Sequence, residues 1–80
     1  MSAEPGVVEV DARGTRCPMP VILAAHAARE LPPGTHLLVL ATDPAAAADL
    51  PAWCRIRGHQ VQALTTDPDG AIQAHLILGP

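Results

Sequence analysis

The residue most suited to chemistry in this chain is Cys17, in the run Arg16-Cys17-Pro18-Met19-Pro20, where a strand-like stretch gives way to a helix-like one. A cysteine where a helix begins feels the positive end of the helix dipole, which favours thiolate over thiol. Pro18 and Pro20 fix φ in the first turn and remove donors that would lack intrahelical partners. The segment predicts a stiff pedestal presenting one sulfur at a surface turn. Thiol exchange fits such a site, because its rate depends on thiolate fraction, nucleophilicity and access rather than on a separate general base. With the prolines lacking N–H groups, Met19 and Val21 supply the donors left to face the sulfur, so the dipole effect is expected to be weaker than at an ordinary helix start. The competing reading, a small core hydrophobe, fits poorly with an arginine and two prolines at a polar turn.

Other side chains near this turn admit two readings each. Arg13 and Arg16 either raise the local potential around an anionic sulfur or are simply solvated. Asp11, closing the strand-like stretch, is better placed to cap the turn through backbone N–H groups than to act as an acid. At 100° per residue Met19 and Ile22 fall on the polar sector of the following helix, with His26, Arg29 and Glu30. Two exposed apolar side chains beside the sulfur suggest a docking patch for a partner. Cys54 shares a helical stripe with Ala47 and Leu50 and reads as a buried structural thiol, and Trp53 reads as a cap on the core. His26, His36, His59 and His75 show no compact ligand spacing, so no metal is expected.

The elements that position these residues must be small. Eighty residues make one domain, able to bury about 60% of the surface its unfolded chain exposes. Apolar residues make up 49% of the chain, yet Phe and Tyr are absent and Trp53 is the only aromatic, so the core must be aliphatic. Nine prolines and six glycines predict short, sharply punctuated elements. A net charge of −3, with five arginines and no lysine, argues against direct nucleic-acid binding. Residues 1–6 read as a flexible tail without the basic and apolar regions of a signal peptide, and residues 7–80 as the domain. No run approaches the ~20 apolar residues of a membrane span, so the expected location is the cytoplasm, where both cysteines rest as thiols.

Val7 to Asp11 reads as a strand, followed by a turn over residues 12–16. From Pro18 to Leu31 the apolar spacing is helical, with Val21, Ala24, Ala25, Ala28 and Leu31 on one face, and Pro32-Pro33-Gly34 ends it. His36 to Ala41 is a nearly continuous apolar strand, as expected of a central or doubly covered one. Asp43-Pro44 predicts a helix start with Asp43 as N-cap; the helix runs to a stop at Gly58, with a kink or break near Leu50 caused by Pro51. His59 to Thr65 and Ala71 to Leu78 predict a hairpin around Asp67-Pro68-Asp69-Gly70, with Ile72, Ala74, Leu76 and Leu78 on one face. The order β-α-β-α-β-β implies a right-handed crossover and a parallel first pair. The expected fold class is an α/β (α+β) two-layer sandwich, a mixed four-stranded sheet with two helices on one face. Its other face is open, and the strand from Leu37 to Leu40 could there pair across a homodimer.

The run from Val10 to Pro20, with Asp11, Gly14 and Arg16 ahead of Cys17-Pro18-Met19-Pro20, resembles the signature of the TusA/SirA-like sulfur carrier family. The likeness continues through Pro33-Gly34, Asp43-Pro44, Asp49-Leu50-Pro51, Trp53-Cys54 and Gly58-His59, so that it covers Val7 to Leu78. It implies a cysteine, here Cys17, that carries sulfane sulfur as a persulfide, with Asp11, Gly14, Arg16, Pro18 and Pro20 as the supporting motif. It also implies a donor of the cysteine desulfurase or rhodanese type, and an acceptor in tRNA thiolation, molybdenum cofactor assembly or sulfur oxidation. No cofactor is implied. The reading from a different class is a non-catalytic redox-sensing or regulatory module, recognisable by a reversible Cys17–Cys54 bridge without sulfur loading.

Overall fold

The computed structural model describes residues 7–80; the flexible tail expected over residues 1–6 lies outside the described residues. β1 (Val7–Ala12) runs parallel to β2 (His36–Ala41), with Val8 opposite Leu37, Val10 opposite Val39 and Ala12 opposite Ala41. A parallel pair requires a crossover, and α1 (Met19–Arg29) supplies it. The strands β3 (Gln60–Thr66) and β4 (Ile72–Ile77) form the expected hairpin. Its turn is closed by the Gly70 N–H donating to the Asp67 carbonyl at 2.9 Å, with Gly70 at φ +92°. β4 inserts beside β2, so the sheet order is β1-β2-β4-β3 and β2 is central.

Alternation decides which side is buried. Val8, Val10 and Ala12 of β1, Leu37, Val39 and Ala41 of β2, and Ile72, Ala74 and Leu76 of β4 face the helices. Together with Ala24 of α1, Ala46, Leu50 and Cys54 of α2 (Ala46–Arg57), and Leu78, they make an aliphatic core, with Trp53 packed at its margin against the His59 ring. The opposite face carries His36, Leu38 and Leu40 beside Gln73, His75 and Ile77, half-buried and without a helix over them. There the antiparallel register sets His36 diagonal to His75, with Nε2 and Nδ1 3.1 Å apart, a pairing that spacing along the chain did not announce.

The helix ends follow local chemistry. The Asp43 side chain accepts from the Ala45 N–H at 3.0 Å. The N-cap is Ala45 itself, without a side-chain cap, so Asp43 stands two residues ahead of the N-cap position expected of it. Pro44 and Ala45 form a tight turn closed by the Ala46 N–H on the Asp43 carbonyl, and the α-helix proper begins at Ala46 rather than at Pro44. At the other end Gly58 adopts φ +82°, and the His59 N–H reaches back to the Cys54 carbonyl at 2.8 Å, so the predicted stop holds. The break expected at Pro51 is absent, since α2 continues unbroken through it. An interior proline costs a helix about 3 kcal/mol. Full burial of Leu50 returns about 1.5–3 kcal/mol, and buried Ala46 and Cys54 on the same stripe add to that.

Leu50→Ala should therefore lower unfolding stability by about 2–5 kcal/mol. Ile56→Ala, at a position 80% exposed, should change it by less than about 0.5 kcal/mol. Urea titration monitored by circular dichroism checks both.

Candidate functional site

Because β1 and β2 are parallel, both leave the sheet at the same end, and the loops that follow them meet there. The first loop is shaped before it reaches the sulfur. Asp11 accepts the Arg13 N–H at 3.1 Å, and the Arg13 guanidinium grips the same carboxylate through Nε at 2.9 Å and Nη2 at 2.8 Å. The capping role expected of Asp11 is thus in place, and Arg13 is committed to it rather than to the sulfur. Gly14 turns the chain at φ +81° and donates its N–H to Thr42 Oγ1 at 2.9 Å. Thr15 folds back on the Ala12 carbonyl through both its N–H, at 3.2 Å, and its hydroxyl, at 2.6 Å.

Cys17 is exposed and pinned from two sides. Its N–H donates to Asp43 Oδ2 at 2.7 Å, while Asp43 Oδ1 serves the start of α2, so one carboxylate joins the two loops. Its Sγ lies 2.7 Å from Asp49 Oδ2, in the first turn of α2. Pro20 is fully buried, Pro18 and Arg16 are exposed, and Met19 and Ile22 are 38% and 39% exposed in the first turn of α1, which follows Cys17. A shallow depression adjoins the site, lined by Gly14, Thr15, Arg16, Thr42, Asp43 and Pro44. Among the described residues no three His, Cys, Asp or Glu side chains converge as a metal site. Cys54 is 1% exposed in the core, where burial pushes its thiol pKa up.

The electrostatics correct one expectation. The hydrogen bonds from Arg13 hold the Asp11 carboxyl down at about 2, and the Arg13 guanidinium is raised in return. The backbone N–H groups of Cys17 and Ala45, aided by Arg16, hold Asp43 below the usual carboxylate range. Cys17, expected to lean toward thiolate, is instead pushed up, chiefly by its hydrogen bond to Asp49 and further by desolvation and by the charges of Asp49 and Asp43. The helix start also offers the sulfur few donors. Pro18 and Pro20 offer no N–H, and the Met19 N–H, expected to face the sulfur, goes to the Arg16 carbonyl at 2.7 Å. The linear sequence suggests only a capping role for Asp43 and none for Asp49 or Thr42. The parallel β1–β2 pairing was the available signal, because it obliges the two loops to meet.

The family profile described as sulfurtransferase TusA matches residues 8–77. Among solved structures, the crystal structure of a SirA-like protein from Desulfitobacterium hafniense matches this fold with a TM-score of 0.79 at 28% identity, covering 92% of this chain and 99% of that one. It shares the element order and the mixed sheet with two helices.

Arg13→Ala should return the Asp11 carboxyl from about 2 toward its ordinary 3.8, read by NMR titration of the side chain. The sign follows from the depressed value: what the pair adds to stability is present above pH 3.8 and fades as pH falls toward 2.

Proposed function

This chain belongs to the sulfurtransferase TusA family, and from that premise we propose that it is a sulfur carrier whose Cys17 alternates between thiol and persulfide. The supporting observation is the placement of the one exposed thiol among the described residues, at the junction of two loops that hold its backbone and its sulfur separately. In the loading step the Cys17 sulfur attacks the outer sulfur of a donor persulfide. One S–S bond forms as another breaks; the donor leaves as a thiol and Cys17 is left as a persulfide. Discharge is the same exchange toward an acceptor thiol, with no net oxidation in either direction.

Each supporting residue has a mechanical part in this reading. Asp11 and Gly14 shape the turn, Pro18 and the buried Pro20 stiffen the pedestal, and Arg16 adds positive potential beside Asp43. Met19 and Ile22 form an apolar contact for the donor or acceptor protein. The acceptor belongs to one of the processes the family serves, tRNA thiolation, molybdenum cofactor assembly or sulfur oxidation, in the cytoplasm. No described helix is long and apolar enough to cross a membrane. A redox switch through a Cys17–Cys54 bridge would require Cys54 to leave the core, which counts against that alternative.

Mass spectrometry after incubation with glutathione persulfide should find one labile extra sulfur on Cys17. Cys17→Ser should abolish it and Cys54→Ser should keep it; a folded wild-type chain that takes up no sulfur would overturn the reading. With a cysteine desulfurase as donor, Ile22→Glu should slow loading by about tenfold, while loading from glutathione persulfide stays unchanged.

A further inference from the structure

We propose that Asp49 restrains Cys17: by accepting the S–H hydrogen bond it fixes the sulfur in one position and keeps the empty carrier as a thiol, until a partner presents a cationic side chain to Asp49 and frees the sulfur to ionise. The proposal deepens the sulfur-carrier reading and rests on it.

The geometry carries the first half. At 2.7 Å from Sγ to Oδ2 the thiol is placed to donate to the carboxylate, an arrangement that repulsion between thiolate and carboxylate would disfavour. A second carboxylate, Asp43, stands on the backbone side of the same residue and adds to the negative surroundings. The upward push on the Cys17 pKa, led by the Asp49 hydrogen bond, agrees with this arrangement in direction and cause.

The second half follows from where the cations are. The chain has five arginines and no lysine. Arg13 is clamped on Asp11 through two guanidinium nitrogens, and the influence of Arg16 falls on Asp43. Arg29, Arg55 and Arg57 lie in the last turns of their helices, whose first turns hold the site. Among the described residues no arginine forms an ion pair with Asp49, so its neutralising cation is assigned to a partner. Met19 and Ile22, exposed in the first turn of α1 that follows Cys17, define the rest of that contact. The matching surface is a lysine or arginine next to an apolar patch. A carrier built this way resists stray electrophiles while free and becomes reactive when docked.

The test compares the wild-type chain with Asp49→Asn, which preserves shape and removes charge; Asp49→Ser serves as a second variant should the first fold poorly. Alkylation by iodoacetamide is followed across neutral and alkaline pH, since the reagent reads thiolate. The Asp49→Asn profile should move to lower pH, with a rate at near-neutral pH about tenfold above wild type. Hexa-arginine peptide at fixed ionic strength should accelerate wild type toward the variant and leave the variant unchanged. An unshifted profile in both folded variants would overturn the restraint. A shifted profile with equal peptide response in wild type and variant would overturn the cation half. Alkylation involves no sulfur loading, so a Cys17 that took up no sulfur would sink the proposed function while leaving this result intact.

Discussion

The parallel pairing of β1 with β2 is the constraint from which the rest of this structure follows. Parallel neighbours force a helical crossover, and α1 and α2 both pack on the same sheet face, sharing one core. The loops after β1 and β2 then emerge side by side, and the first turns of α1 and α2 become neighbours. An antiparallel β1 would have sent Cys17 to the opposite end from Asp43 and Asp49. The aliphatic core locks this arrangement through Leu37, Val39 and Leu76 in the sheet and Ala24 and Leu50 above it.

The site combines a stiff backbone with a guarded sulfur. Thr42 and Asp43 hold the first loop through hydrogen bonds to the N–H groups of Gly14 and Cys17, so the position of Cys17 is specified by the second loop as much as by its own. The two prolines that stiffen the pedestal also remove the donors that would otherwise favour an anion. Position and acidity therefore pull apart: the features that expose the sulfur do not activate it.

Element order, sheet composition, hairpin and helix stop at Gly58 were all legible in the sequence, because each depends on local periodicity or on one residue's backbone preference. The exposure of Met19 and Ile22 and the burial of Cys54 were legible for the same reason, since helical phase alone decides them. The unbroken course of α2 through Pro51 was not, because burial of Leu50 together with Ala46 and Cys54 on the same stripe opposes a local preference. Nor was the upward push on the Cys17 pKa. The dipole argument was local, while the dominant group, Asp49, reaches the sulfur only through tertiary structure. The His36–His75 contact was missed in the same way, its spacing being set by strand register.

Asp49 and Leu50 are consecutive on α2, one turned to the sulfur and the other fully enclosed by the sheet and helices. The same turn of helix is thus fastened inward by hydrocarbon and outward by a single acidic oxygen. Any drift in interior packing that slid this turn would alter the sulfur's proton affinity without touching a surface residue. Lineages could accordingly tune the reactivity of such a thiol through substitutions hidden in the hydrophobic interior, leaving the visible motif unchanged.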